Sequence, residues 1–140
     1  MMLDLNLLQE KLRAKRILII GDVCLDWYLF IDPERSEPSV ETGKPTKAVK
    51  TSRYSPGGAG NVAANLASMG VGNVAAFGVC GDDPFAGALS NALESCGVEN
   101  RLIMQTDSWH TNVYTKAIEN GEEDRRLDFG NYNQISERTI

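Results

Sequence analysis

The chain has 140 residues, of which 42% are hydrophobic and 24% are charged, and its formal net charge at pH 7 is −5. This length and this balance are typical of one globular domain with a buried core. The net negative charge and the lack of a basic run argue against a nucleic-acid partner. No apolar run approaches the roughly 18–20 residues of a membrane span, so we expect no membrane partner either.

The first residues and the cysteines indicate a cytoplasmic protein. Residues 1–15 form a charged amphipathic segment without the apolar centre of a signal peptide. Cys24, Cys80 and Cys96 are odd in number and widely spaced, which is typical of reduced, buried thiols. His110 is the only histidine, so neither a histidine metal centre nor a Ser-His-Asp triad is expected, and we predict no metal site.

The chain begins with a predicted helix and a predicted core strand. Leucines at roughly helical spacing predict a helix over about 4–14. The apolar run Ile17–Ile20 is typical of a strand buried on both faces of a parallel sheet, and Gly21 ends it. Asp22 and Asp26 follow at the carboxyl end, where open α/β sheets bind ligands. Both are therefore candidate site residues, although turn capping explains Asp22 equally well.

The next segment predicts a strand, an exposed loop and a second strand. Residues 27–31 are aromatic and β-branched and predict a second strand. Residues 32–45 contain three prolines and a glycine among charged residues and predict an exposed loop. Residues 46–54 carry lysines and an arginine between apolar positions, which favours an exposed edge strand.

A glycine-rich turn leads directly into a helix within Ser55–Ala67. Gly57 and Gly58 lack a Cβ and tolerate positive φ, so their backbone can approach a ligand closely. The helix start presents unpaired N–H groups and the positive end of its dipole, and Asn61 adds an amide that donates and accepts. The run suits a polyhydroxylated or anionic small molecule, and a plain strand-to-helix connection is the alternative.

The following elements alternate between strand and helix. We predict helices over about 59–69 and 85–95 and a buried strand over 73–79. Asp83 precedes Pro84 as the N-cap of the second of these helices. This βαβα order predicts a parallel sheet with covering helices, that is, an α/β protein.

The last part of the chain predicts more strands. Residues 102–104 begin a short strand, and residues 111–119 and 126–129 flank Asn120-Gly121, the strongest short hairpin signal. With the strands predicted within 27–54, this hairpin is expected to form a small second sheet beside the main one.

A dinucleotide-binding site is an alternative for the glycine run. Gly58–Ala63 satisfies G-x-G-x-x-A, and Asp82 and Asp83 follow about twenty residues later. That fingerprint, however, normally follows a buried apolar strand, whereas residues 46–54 are polar. An oxidoreductase domain is thus the second hypothesis. A Walker-type phosphate loop is excluded, because no Gly-Lys-Ser or Gly-Lys-Thr occurs.

Three segments together resemble the PfkB, or ribokinase-like, family of carbohydrate kinases. Residues 57–70 resemble its N-terminal signature, residues 19–26 its first strand with a sugar-contacting aspartate, and residues 78–86 the following strand and helix start. Residues 21–26 and 126–129 lean toward the heptose-phosphate kinase branch.

The resemblance implies a ribokinase-like α/β fold for residues 1–140: a mostly parallel sheet flanked by helices, with a small β lid from strands within about 27–54 and 111–130. It implies transfer of the ATP γ-phosphoryl group to a hydroxyl of a sugar or sugar phosphate, with ATP and Mg²⁺ as cofactors. The residues that it places at the sugar are Asp26, Gly57, Gly58 and Asn61, and Asp22 joins them as a candidate by its position at the end of the first strand.

The family's second signature, which supplies the anion hole and the catalytic base, has no match up to Ile140. We therefore expect a chain truncated before the nucleotide-binding half, without a catalytic residue of its own and inactive alone. A sheet cut midway has an unpaired apolar edge, which predicts self-association. A homodimer through the lid is also expected. A non-catalytic sugar-binding module is the third hypothesis.

Overall fold

The protein is described by a computed structural model that covers residues 4–105 and 109–134. Within these residues it forms three α-helices, which are α1 (Leu5–Arg13), α2 (Ala59–Ser68) and α3 (Pro84–Ser95). The strands in the same residues are β1 (Arg16–Ile20), β2 (Val23–Asp32), β3 (Ala48–Gly58), β4 (Asn73–Phe77), β5 (Val79–Gly81), β6 (Glu99–Asn100), β7 (Ile103–Gln105), β8 (Val113–Glu119) and β9 (Glu122–Phe129). None of the helices in this part of the chain has the length and apolar character that a bilayer crossing requires.

A parallel sheet lies at the centre of the fold and confirms the α/β class. Its strand order is β1-β4-β6, and all of its pairings are parallel. The core beside it is built from small and branched side chains, among them Val74, Ala76, Leu89 and Leu93, with Ile17 and Ile19 packed against them. We call this three-stranded sheet the inner sheet.

Two sequence predictions about the inner sheet are wrong. β1 is not buried on both faces, since Leu18 is 47% exposed and Ile20 70% exposed; the helices of the described chain cover the face of Ile17 and Ile19. The strand predicted over 73–79 is two strands, because β4 pairs within the inner sheet while β5 pairs with β7. A third correction concerns Cys96, which is exposed rather than buried.

A second, mainly antiparallel sheet has the order β3-β2-β8-β9, and we call it the outer sheet. β2 begins at three fully buried residues, Val23–Leu25, and continues outward as the long central strand of this sheet. The predicted hairpin is confirmed: Asn120 and Gly121 have φ values of 53° and 85°, as a two-residue turn between β8 and β9 requires.

The outer sheet contains two irregularities at the same level. The β2–β3 register shifts between Phe30 and Ile31, and the β8–β9 register shifts between Lys116 and Ile118. Phe30 is the direct partner of Ile118 across β2 and β8. Such irregularities bend the strand and increase its local twist.

Asp83 ties α3 to the beginning of β8. Its Oδ1 accepts hydrogen bonds from the N–H groups of Phe85 and Ala86 at 3.0 and 3.1 Å, which confirms the predicted N-cap. Its Oδ2 accepts from the N–H of Thr111 at 2.8 Å. The hydroxyl of Thr111, which is fully buried, accepts in turn from the N–H of Gly81 at 3.0 Å.

Candidate functional site

The structure brings Gly57 and Asp26 together. Gly57 pairs with Cys24 across β2 and β3, and Ser55 pairs with Asp26 two residues farther along. The two pairs therefore lie on the same face of the sheet. A Cβ on Gly57 would lie 2.6 Å from Cys24 Sγ, 3.2 Å from Asp26 Cγ and 3.3 Å from Asp26 Oδ2. The backbone of Gly57 therefore lies directly against the Asp26 carboxyl group, where no side chain fits.

The sequence predicts a turn at Gly57 and Gly58, but both residues belong to β3 and pair with β2, and the chain turns into α2 directly after Gly58. Gly58 contacts Asp22. Its φ is +54°, and a Cβ there would lie 2.4 Å from the carbonyl oxygen of Asp22. The next residue, Ala59, donates its N–H to the same oxygen at 2.8 Å. The carboxylate of Asp22 does not cap α2; its Oδ1 accepts a hydrogen bond from Asn112 Nδ2 at 2.8 Å. Asp22 thus fixes the start of α2 through its backbone, and through its side chain it contacts Asn112, the residue just before β8.

Asn61 is the third residue of α2, in the first helical turn as the sequence predicts. It is exposed, and the hydrogen bonds recorded for the described residues do not join it to Asp26. The structure therefore places Asn61 on the same turn and helix start as the glycine pair, but without a direct contact to the acid.

Lys116 is a site residue that the sequence analysis misses. Its Nζ lies 2.9 Å from Asp26 Oδ1 and 3.4 Å from the hydroxyl of Tyr28. The side chains of this ion pair are only 17% and 19% exposed. Burial alone would lower the pKa of Lys116, but the hydrogen bonds to Asp26 and Tyr28 and the attraction of Asp26 raise it above its ordinary value.

Lys116 belongs to a row of cations across the outer sheet. Arg53, Tyr28, Lys116 and Arg126 are successive register partners on β3, β2, β8 and β9, so they share one face. The guanidinium of Arg53 and the ammonium of Lys116 lie 5.1 and 4.9 Å from the centre of the Tyr28 ring. We call Arg53, Lys116 and Arg126 the cation row.

The cation row lies next to a row that contains Asp26. Ser55, Asp26, Tyr114 and Asp128 are the register partners two residues away on the same four strands. Arg126 stacks on the Tyr114 ring at 4.8 Å and forms two hydrogen bonds with Asp128, at 2.8 and 3.1 Å. The backbones of the two rows are roughly 7 Å apart, the length of two strand residues, but their charged groups meet: Lys116 lies 2.9 Å from Asp26, and Arg126 is hydrogen-bonded to Asp128. Arg53 contacts the Tyr28 ring instead.

Cys24 lies between the two aspartates and the glycine pair but is chemically quiet. Burial, followed by the negative charges of Asp22 and Asp26, raises the pKa of its thiol to about 12. A thiol with this pKa stays protonated near neutral pH, so Cys24 is a packing residue of the site and not a nucleophile.

A cavity of about 660 Å³ opens at the carboxyl ends of β1 and β4. Asp22 and Asn112 line it together with Ile20, Phe77 and Trp109. Asp26 does not line this cavity; it faces the polar side of the outer sheet. The two acids that the sequence analysis selected therefore lie on different surfaces: Asp22 lines the cavity, and Asp26 lies on the polar face of the outer sheet.

Comparison with known proteins identifies the family. Residues 14–138 match the family model described as pfkB family carbohydrate kinase, and the chain belongs to this family. A relative from Magnetococcus marinus, the bifunctional protein HldE, is 31% identical over 124 residues, which are 89% of this chain and 25% of the relative. The bifunctional protein HldE of Vibrio cholerae is 37% identical over 113 residues, which are 81% of this chain and 23% of the relative. The chain thus spans about a quarter of the length of these relatives.

Solved structures confirm the ribokinase-like fold. A carbohydrate kinase from Agrobacterium tumefaciens superposes with a TM-score of 0.62 at 24% identity, over 82% of this chain and 35% of that protein. Arabidopsis thaliana ribokinase, solved with ribose and ATP, superposes with a TM-score of 0.59 at 21% identity, over 82% of this chain and 36% of that protein. The fold matches about a third of each of these proteins.

Proposed function

We propose that this chain forms the acceptor-binding part of an ATP-dependent carbohydrate kinase. The proposal depends on one observation: the carboxylate of Asp26, the fourth residue of β2, lies against a side-chain-free backbone at Gly57. A carboxylate accepts charge-assisted hydrogen bonds from neighbouring hydroxyls, each contributing about 1.5–3 kcal/mol. Asp26, Gly57 and Gly58 would hold the sugar and Asn61 would border it, whereas Asp22 lines the separate cavity at the carboxyl ends of β1 and β4.

We further propose that the acceptor carries a phosphate group. The support is the cation row, which places Lys116 and its neighbours two residues beyond Asp26 on the same sheet face. Among the described residues, Arg53 forms no ion pair with an acidic side chain, and its guanidinium contacts the Tyr28 ring. A hydroxylated ring on Asp26 and a phosphate on the cation row would fit a sugar phosphate, in keeping with the heptose-phosphate branch that the sequence resembles.

We propose that the nucleotide binds outside the acceptor site described above. The glycine turn packs on Asp22 and Asp26, whose negative charges would repel a triphosphate. We therefore propose that ATP and Mg²⁺ are used by the complete kinase, and that this chain alone does not transfer phosphate.

The position of the glycine run disfavours the oxidoreductase hypothesis. The G-x-G-x-x-A segment follows β3, which is antiparallel to β2 and lies at an edge of the outer sheet. A dinucleotide fingerprint follows a parallel strand of the central sheet.

We propose that the outer sheet acts as the lid over the acceptor and as the contact in a homodimer. Its exposed apolar side chains support the second role, since Val49 is 49% exposed, Leu127 68% and Phe129 41%. A cytoplasmic location remains a prediction from the sequence.

Calorimetric titration tests the acceptor site. The chain should bind a heptose phosphate more tightly than the corresponding free heptose, and Asp26→Asn should weaken both affinities at least tenfold, since a neutral amide loses the charge-assisted bonds. Asp32→Asn is the matched control, because Asp32 is on the same strand but at the far end of the outer sheet. Equal affinities for the wild type and Asp26→Asn, with the circular dichroism spectrum unchanged, would remove Asp26 from the site. Binding without any turnover, even in the complete kinase, would favour the non-catalytic module.

A further inference from the structure

Arg126 and Asp128 form a doubly hydrogen-bonded pair on one face of β9. The two residues are two positions apart on the strand, so their side chains share that face. Arg126 donates from Nε to Asp128 Oδ1 at 3.1 Å and from Nη2 to Asp128 Oδ2 at 2.8 Å. Two parallel bonds of this kind fix the plane of the guanidinium group as well as its position.

The ring of Tyr114 holds the same guanidinium group from another side. Tyr114 is the register partner of Asp128 on β8, and Arg126 Cζ lies 4.8 Å from the centre of its ring. The hydrogen bonds to Asp128 raise the pKa of Arg126 above its ordinary value, so the group stays charged. Arg126 is therefore held by two neighbours although 43% of its side chain is exposed to solvent.

The pair leaves one complete edge of the guanidinium group available. Of the five N–H groups of a guanidinium, the hydrogen bonds of Arg126 among the described residues use one on Nε and one on Nη2. The Nη1–Nη2 edge keeps one N–H on each nitrogen, and this fork matches two oxygens of a phosphate group. Lys116 is the register partner of Arg126 on β8, so a second cation stands beside it on the same face.

We infer that Arg126 binds the phosphate group of the acceptor through its Nη1–Nη2 edge, and that Asp128 is a positioning residue that orients this edge. The inference rests on the proposed function, which places a phosphorylated sugar on this face. Lys116 has a different role, because its ammonium group donates to Asp26 and Tyr28 and has no fork. Arg126 therefore sets the orientation of the phosphate group, and Lys116 adds electrostatic attraction.

A positioning role and a purely electrostatic role of Asp128 predict opposite results. The Asp128 carboxylate is a negative charge near the phosphate, so its removal strengthens binding if charge alone decides. Asp128→Asn also removes one acceptor oxygen, because its amide presents N–H groups where Arg126 donates. Binding weakens if orientation decides. Glu123→Gln is the matched control: the charge of Glu123 also acts on Arg126, but the described residues show no hydrogen bond between the two.

Calorimetric titrations with a heptose phosphate and with the free heptose test the inference. Arg126→Lys, which keeps the charge but loses the fork, should weaken binding of the heptose phosphate at least tenfold. Asp128→Asn should weaken it at least threefold, whereas Glu123→Gln should leave it unchanged or strengthen it. The preference for the heptose phosphate over the free heptose should fall by the same factors, and circular dichroism spectra control for folding.

The outcomes separate this inference from the proposed acceptor site. Heptose phosphate binding by Asp128→Asn that equals or exceeds that of the wild type overturns the positioning role, and unchanged binding by Arg126→Lys overturns the phosphate site. Equal affinity of the wild type for the two sugars overturns the inference but leaves Asp26 as the sugar-binding residue.

A wild type that binds neither sugar refutes the proposed acceptor site, and inorganic phosphate then decides the inference. Side-chain NMR signals of Arg126 that shift with inorganic phosphate in the wild type and in Glu123→Gln, but not in Asp128→Asn, support it. Signals that do not shift in the wild type overturn it.

Discussion

At the scale of single residues, the importance of a glycine depends on what its absent side chain would touch. Gly57 leaves room for Cys24 and Asp26, which a Cβ would approach to 2.6 and 3.2 Å. Gly87, the fourth residue of α3, has no atom within 4 Å of the same position. The two glycines are therefore a matched pair for mutation.

We predict opposite effects for Gly57→Ala and Gly87→Ala. Gly57→Ala should lower the free energy of unfolding by about 1–3 kcal/mol through overpacking and abolish sugar-phosphate binding, because the methyl group displaces the Asp26 carboxylate. Gly87→Ala should raise the free energy of unfolding by about 0.5–1 kcal/mol, since alanine is the better helix former. Urea unfolding and calorimetry measure both. A neutral Gly57→Ala variant with intact binding contradicts the proposed site.

Lys116→Met should cost stability and remove the preference for a phosphorylated sugar. Without the ammonium, the largely buried Asp26 carboxylate lacks its ion-pair partner, which should lower the free energy of unfolding by about 2 kcal/mol. Because the folded-state pKa of Lys116 is raised above 10.5, this difference is constant below pH 10.5 and shrinks as the pH rises through the folded value. Lys50→Met, at an exposed position of β3, is the control. An equal preference for phosphate in Lys116→Met would exclude the cation row as its cause.

At the scale of elements, Asp83 is the joint between a helix and the outer sheet. Burial would raise its pKa, but hydrogen bonds from Thr111, Ala86 and Phe85 lower it below the ordinary value of 3.8. The carboxylate thus stabilises the start of α3 and the position of β8 at the same time.

Asp83→Ala should lower the free energy of unfolding by about 1–2 kcal/mol, the usual cost of a lost N-cap. The stabilisation by Asp83 is present above pH 3.8 and is lost as the pH falls through the lowered folded value, so the variant and the wild type should converge at acidic pH. Asp82→Ala, at the exposed neighbour, should have no comparable effect. Thermal unfolding from pH 7 to pH 2.5 gives the comparison, and a pH-independent difference would contradict it.

Local patterns predict most elements but not their partners. The helices and the Asn120-Gly121 hairpin were predictable because capping residues, helical spacing and turn chemistry act within a few residues. The pairing of β2 with β8 joins residues about ninety positions apart, so no local signal places Lys116 beside Asp26. The sequence did not predict the exposure of Ile20 for a related reason. An apolar run indicates that a strand can be covered on both faces, but it does not show which other parts of the protein cover them.

At the scale of the whole molecule, the reactivity of the three cysteines measures whether the core unfolds as one unit. Cys24 and Cys80 are 2% and 5% exposed, and Cys96 is exposed at the end of α3. Burial raises the pKa of both buried thiols, that of Cys24 to about 12.

We predict that one thiol reacts quickly with Ellman's reagent at pH 8 and that the other two react at least about 100-fold more slowly. The slow thiols are buried, and their raised pKa leaves little thiolate to react. Mass spectrometry should locate the fast label at Cys96, and Cys96→Ser should abolish the fast phase. Urea should accelerate labelling of Cys24 and Cys80 together, at the same midpoint. Equal rates for all three thiols in the folded protein would show that the core around β2 opens readily.

The two aligned register shifts of the outer sheet separate Asp26 from the tip of that sheet, so the tip can move while Asp26 stays in place. Asp26 is one residue beyond the buried start of β2, whereas the shifts at Phe30 and at Lys116 lie farther out. Bending along this line moves the β8–β9 tip from Ile118 and Glu123 outward, whereas Lys116 and Arg126 pair on the core side of the shift. Asp26 and the cation row therefore keep their spacing when the tip moves, and a sugar phosphate bound as proposed would be held at both ends by the rigid part of the sheet.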